Sequence, residues 1–175
     1  MLAGLQAGAQ SVPFMPVPGH VGSDYERLRP DFTVIADPYA PDQRVMLVPA
    51  IRCDVALIHA VVASPDGTVL LDPMEDDALL AQASRVVIAS AERLAPADEV
   101  RRAGPGVVLD GIHVTAVVEL PGGAHPTLVR GVRDLDAPHF EEYVAAAGDD
   151  GTFARYLERW VSGPKDHAAY LARLG

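Results

Sequence analysis

Cys53 to Val62 reads C-D-V-A-L-I-H-A-V-V, ten residues with a single acid and neither glycine nor proline. A run so apolar and β-branched suits a central strand of a sheet, covered on both faces. It is well short of the roughly 18 apolar residues that a membrane span requires. A strand of this kind needs neighbours in the sheet and layers above and below it, and the rest of the chain must supply them.

Thr33–Ala36 and Val45–Val48 are short strands on either side of the turn residues Asp37 to Asp42. Ser64-Pro65-Asp66-Gly67 is a tight turn leading into a strand over Thr68–Leu71. Further strands are expected at Arg85–Ser90, Val107–Leu109 and Ile112–Leu120, the last two separated by Asp110-Gly111. Helices are expected over the opening nine residues and over Met74–Ser84, with Asp72 as N-cap and Pro73 at the first position. Glu75, Asp76 and Asp77 then place negative charge at the positive end of that helix, which gives them a structural rather than a metal-binding reading. Asp136 caps a helix running to Val144, and Thr152–Val161 places Phe153, Tyr156, Leu157 and Trp160 on one stripe, a core or interface face. His167–Leu174 is a short amphipathic tail. Strands alternating with helices predict an α/β fold with a mixed, largely parallel sheet flanked by helices, in one domain over residues 1–175.

The chain is 49% apolar and carries a formal charge of −10, a balance that opposes a nucleic-acid or anionic-membrane surface. Cys53 is the single cysteine, so an intrachain disulfide is impossible, and the opening residues show no signal-peptide pattern. A cytoplasmic location is the expectation. Cys53 leads into an apolar run and reads as a small packed side chain. His59 reads as a hydrogen-bonded core residue, and His20 as a solvated loop histidine.

Candidate function concentrates at strand ends. Val114 to Leu120 stops abruptly at Pro121, Gly122 and Gly123, with His125 and Pro126 beyond. Two glycines permit positive φ and close backbone approach to a ligand, beside a titratable imidazole. Open α/β sheets keep their sites at such ends. Glu92, just past the strand over Arg85–Ser90, is a candidate pocket carboxylate. Ser11 to Asp24 holds three prolines among Phe14, Met15 and Val17 and cannot be helix or central strand. Its apolar side chains suit packing on the core or a partner, with Gly22, Ser23 and Asp24 on a pocket rim. Neither a Walker loop, a dinucleotide fingerprint, a Gly-x-Ser-x-Gly elbow nor a clustered zinc pattern occurs.

The order Leu5-Gln6-Ala7-Gly8-Ala9, Val12-Pro13-Phe14-Met15-Pro16, Gly22-Ser23-Asp24, Pro38-Tyr39, Val48 to His59, Asp66-Gly67 and Pro121 to Thr127 resembles the A (α) subunit of family I coenzyme A transferases. It is most similar to the glutaconate-type A subunits and to the corresponding chain of the bacterial steroid-ring-opening CoA hydrolase. The resemblance implies the C-terminal part of such a subunit, without the family's N-terminal glycine-rich loop and the acidic segment that follows it. It fits an opening helix that begins without a polar cap. It further implies transfer of CoA between an acyl-CoA and a carboxylic acid in a hetero-oligomer, with the nucleophilic glutamate on a B (β) subunit. Coenzyme A would be present as substrate thioester, with no metal. Gly122, Gly123, Phe14, Met15, Gly22 and Glu92 would then contact substrate or CoA, with His125, Asp24 and Ser23 in support. A thioester hydrolase or ring-cleaving enzyme on the same scaffold, and a non-catalytic partner subunit, stay open as alternatives.

Overall fold

The computed structural model describes residues 1–174. Helix α1 (Leu2–Ala9) is built of small residues, and Gly8 shows why: a Cβ there would collide with the Ile51 carbonyl oxygen. Strand β1 (Phe14–Val17) follows, then a single helical turn, α2 (Tyr25–Leu28), beyond the proline-rich loop that the sequence predicts. Strands β2 (Thr33–Asp37) and β3 (Ala40–Pro49) complete an antiparallel sheet in the order β1-β3-β2. Pro16 fits because β1 lies at the sheet edge, where a residue without an N–H need not interrupt a ladder.

The chain then enters β4 (Cys53–Ala60). Strands β5 (Val62–Ala63) and β6 (Val69–Leu71) pair antiparallel around the Ser64–Gly67 turn, as its residues predict. Helix α3 is confined to Asp77–Gln82, shorter than the expected Met74–Ser84. Asp72 caps a turn instead of the helix: one carboxylate oxygen accepts from the Met74 amide at 2.8 Å, and the other pairs with Arg130. Strand β7 (Ser84–Ala91), helix α4 (Ala97–Val100) and strand β8 (Val107–Leu109) come next. The expected strand over Ile112–Leu120 is reduced to β9 (Ala116–Glu119), because Gly111–His113 forms a 3-10 turn first.

These strands form two further sheets. One is parallel, in the order β4-β7-β9, and the other antiparallel, in the order β5-β6-β8. The α/β class with a parallel sheet and helices is therefore present, its strands divided among three sheets. The core lies on one side of the parallel sheet, where Ala56, Ile58, Ala60, Val87, Ala89 and Ala91, each at most 5% exposed, pack with Val69, Leu71 and Leu109 and with Ala78 and Leu80. The expectation that β4 is a central strand covered on both faces is corrected: in the order β4-β7-β9 it is an edge strand, and Val55 is 52% exposed and Leu57 73%. A uniformly apolar run carries no alternation to say which face is packed.

The C-terminal region holds α5 (Ala137–Ala146), α6 (Asp150–Leu157) and α7 (His167–Leu171), with a wide π-type turn over Glu158–Ser162. Asp136 caps α5 as its position predicts, accepting from the His139 amide. Trp160, from the predicted aromatic stripe, is buried, while Leu157 stays partly exposed. No helix among the described residues is long and apolar enough to cross a membrane.

Candidate functional site

Parallel pairing puts the C-terminal ends of β4, β7 and β9 at one edge, with His59 opposite Ser90 and Ala91 opposite Glu119. Three chemically active groups meet there. Glu92, the residue after β7, accepts the Gly122 N–H on Oε2 at 2.9 Å and faces His59 Nε2 through Oε1 at 3.1 Å. The other imidazole nitrogen of His59 lies 2.8 Å from the Ser90 hydroxyl oxygen. The side chains of His59 and Glu92 are 14% and 10% exposed, so these bonds form largely away from water. An ionised carboxylate only accepts, so Nε2 of His59 carries the proton facing Glu92. The Ser90 hydroxyl, which has one proton to give, lies within reach of both Nδ1 and the Ile58 carbonyl oxygen, the latter at 3.3 Å.

Gly122 takes the positive φ of +69° that the double-glycine stop predicts. A Cβ at this position would lie 3.0 Å from an Arg133 guanidinium nitrogen and 3.1 Å from Leu171. The turn is thus held from beneath by Glu92 and from above by α7, where His167 Nε2 donates to the Pro121 carbonyl at 2.7 Å.

Beside this edge is a cleft of about 420 Å³ lined by His59, Asp72, Glu75, Asp77, Thr127 and Arg130 among others. Asp77 is half-buried within this acidic group. Burial, reinforced by the neighbouring Glu75 and Asp76 charges, pushes its carboxyl above the usual carboxylate range. Asp72 goes the other way: the Met74 amide, and after it Arg130, hold its carboxyl low.

His125 points away from this cleft into the C-terminal helices. Its side chain is 3% exposed, its Nε2 bonds Asp136 at 2.9 Å, and its Nδ1 meets the Tyr170 hydroxyl at 2.6 Å. Its ring packs edge-on against His139, whose own Nε2 meets the Tyr156 hydroxyl. Both ring nitrogens of His125 are thus engaged within the chain. Among the described residues, His125, Asp136 and His139 form a group whose donor atoms lie close enough, within 4.8 Å, to hold a metal ion. Internal hydrogen bonds account for their arrangement.

The remaining sequence candidates lie elsewhere. Phe14 and Met15 pair with Pro49 and Val48, before the start of β4. Glu92 and Gly122 are at the far end of that strand, which is eight residues long. Gly22, Ser23 and Asp24 bond locally, to Glu26, His20 and Arg27. Within one chain the structure therefore brings Glu92 to Gly122 and Gly123, and separates them from Phe14 and Met15. His59, Ser90, Asp77 and Arg130 join the edge, although nothing in their local sequence marks them as site residues. The register that sets His59 against Ser90 has no local signal, whereas the position of Glu92 after a strand does.

Comparison with known proteins gives this edge a context. No family model matches the chain. It is 35% identical to the A subunit of glutaconate CoA-transferase from Acidaminococcus fermentans over 97% of its own length and 58% of that protein. It is 30% identical to the A subunit of 3-oxoadipate CoA-transferase from Pseudomonas knackmussii, over 96% of this chain and 59% of that one. With the cholesterol ring-cleaving hydrolase IpdA subunit of Rhodococcus jostii the identity is 29%, over 93% and 58%. The crystal structure of glutaconate coenzyme A-transferase from A. fermentans superposes with a TM-score of 0.89 at 33% identity, covering 99% of this chain and 60% of that one. The chain spans about three-fifths of the length of these relatives, and over that length it is a homologue of the A subunits of family I coenzyme A transferases.

Proposed function

We propose that the chain works as the A subunit of a hetero-oligomeric acyl-CoA transferase, moving CoA between an acyl-CoA and a carboxylic acid. The observation that carries the reading is the glycine turn at the C-terminal edge of the parallel sheet, tied to Glu92, in a chain homologous to such subunits. The reaction needs a carboxylate to attack the thioester carbonyl, a thiolate leaving group and donors for the oxyanion. The attacking carboxylate is assigned to a glutamate of a B subunit. In this chain Glu92 has both oxygens committed to Gly122 and His59 and is placed to support the turn.

Gly122 and Gly123 offer backbone close to the thioester, and His125 holds the far side of their turn. Phe14, Met15, Gly22, Ser23 and Asp24, on and beside the antiparallel sheet, are assigned to the subunit interface, where a second chain would complete the site. Coenzyme A enters as substrate, no resident metal is assigned, and the location is cytoplasmic.

A hydrolase on the same scaffold, cleaving either a CoA thioester or a ring C–C bond, is the second reading, and the 29% identity to a ring-cleaving hydrolase subunit over 93% of the chain favours its ring-cleaving form. The two separate on one experiment. The chain is co-expressed with a B subunit of this family and assayed on acyl-CoA with and without a carboxylate acceptor. Acceptor-dependent CoA exchange is the expected result. Acceptor-independent hydrolysis, at the thioester or in a ring of the acyl group, would replace the transferase by the hydrolase, and failure of the chains to associate would overturn both.

A further inference from the structure

We infer that His59 is a positioning residue: it orients the Glu92 carboxylate, and Glu92 in turn fixes the Gly122 amide and with it the Gly122–Gly123 turn. The inference rests on the transferase reading for its consequence in catalysis, but its structural part stands on this chain alone.

Hydrogen-bond capacity assigns the roles. Gly122 N–H is a donor with a single acceptor at 2.9 Å, Glu92 Oε2. A carboxylate at the end of a flexible side chain holds a backbone amide in one place only if its second oxygen is also held, and His59 Nε2 holds it at 3.1 Å. His59 is itself restrained on β4 by Ser90, its register partner on β7, through the 2.8 Å contact at Nδ1. The line Ser90, His59, Glu92, Gly122 thus runs from two strands of a rigid sheet into a turn. That turn has a positive φ at Gly122 and leads directly into Gly123. Low exposure of the His59 and Glu92 side chains keeps water from competing for either bond. A carboxylate so occupied is a strut, and the work is done by its acceptor oxygens rather than by its charge or its nucleophilicity.

That distinction decides the test. Glu92→Gln keeps an acceptor oxygen for Gly122 but presents an NH₂ to His59. The imidazole can satisfy it only by moving its proton to Nδ1 and donating to Ser90. Glu92→Ala removes the acceptor altogether. The first measurement is made on the full chain by NMR, reading Gly122 amide hydrogen exchange and the imidazole nitrogen shifts of His59. The expected result is a wild-type chain with His59 protonated at Nε2 and a protected Gly122 amide. Exchange should be at least tenfold faster in Glu92→Ala, while Glu92→Gln keeps the protection and moves the His59 proton to Nδ1. Unchanged Gly122 exchange in a folded Glu92→Ala chain, or an unmoved His59 proton in Glu92→Gln, would overturn the inference.

The second measurement uses the complex with a B subunit. Glu92→Ala is expected to lower kcat by about tenfold with a smaller change in KM, and Glu92→Gln to stay within about threefold of wild type. Equal loss in both variants would show that the carboxylate is needed as a charge or nucleophile and overturn the strut. Absence of any CoA chemistry in the wild-type complex would overturn the functional reading alone, leaving the exchange experiment to decide on the strut.

Discussion

The two faces of the β4-β7-β9 sheet are both apolar and differ in what their side chains are for. On the packed face the sheet presents mostly alanines, Ala56, Ala60, Ala89 and Ala91 among them, and these admit Leu71, Leu109 and α3 to close range. On the other face Val55, Leu57 and Val118 stand in solvent, larger and more apolar than their neighbours across the sheet. Hydrophobicity therefore does not identify the core of this molecule. Packing does: alanines, with Ile58 and Val87 among them, line the face that another element approaches closely, while Val55, Leu57 and Val118 cover the face that the described residues leave bare. Single apolar residues on a surface are ordinary, but a contiguous set on one sheet face marks an interaction surface.

The sharpest way to break this comparison is to cut a packed residue. Leu71 is 1% exposed and lies within the main core cluster. Leu71→Ala should cost about 3 kcal/mol in unfolding free energy, measured by urea denaturation, from lost transfer energy and the cavity left behind. A cost below about 1 kcal/mol would mean that the packed face is looser than its burial implies.

Next in size is the turn at which the sheet ends. Gly122→Ala places a Cβ in a left-handed backbone and against Arg133 and Leu171. It should cost about 1–2 kcal/mol, the usual penalty for a side chain in that region. Gly131 also has positive φ, with no atom near the position of a Cβ, so Gly131→Ala isolates the backbone part of the cost. If the two variants are equally stable, the contacts above Gly122 contribute nothing.

The C-terminal hub should respond to pH where the apolar core does not. Burial, with the nearby His125, holds the His139 imidazole below its ordinary value of 6.5. The unfolded chain therefore binds a proton that the folded one resists, and stability falls as pH drops from about 6.5 toward the folded value. Asp136 is held low by the His125 hydrogen bond and by the His139 amide. Its contribution is fully present above its ordinary value of 3.8 and is lost as pH falls through the lower, folded one. Acid should thus weaken the fold in two stages, His139 first. Thermal melts between pH 7 and 5 should show a shallower decline for His139→Gln than for wild type. An equally steep decline would place the pH sensitivity elsewhere.

What could be read in advance followed from local chemistry. Ser64 to Gly67 makes the turn its residues demand, Asp136 caps its helix, and the strand expected at Arg85–Ser90 is observed as Ser84–Ala91. The turn at Gly122 is legible because Pro121 ends a β-branched run and the two glycines after it admit the positive φ that a tight turn there uses. The pairing of His59 with Ser90 is not, because strand register is a property of two segments 31 residues apart. Nor is the partner of His125, which is supplied by Tyr170 at a separation of 45 residues. Asp72 is ambiguous in sequence for a simple reason: an aspartate before Pro73 serves equally to cap a helix or to close a turn, and the Arg130 that pairs with it is 58 residues away.

The smallest expected effect is also the one that tests the comparison most directly. Leu57 belongs to the same strand as Ile58, is equally apolar, and differs from it in facing the bare side of the sheet. If burial decides the contribution, Leu57→Ala should change the unfolding free energy of the isolated chain by less than about 0.5 kcal/mol, as an exposed substitution does. Ile58→Ala should cost several times more, although only one position separates them. The pair is compared in one denaturation series at low protein concentration, so that association between copies does not enter. A Leu57→Ala loss matching that of Ile58→Ala would mean that the bare face is packed in solution, and the difference between the two faces would then be one of side-chain size alone.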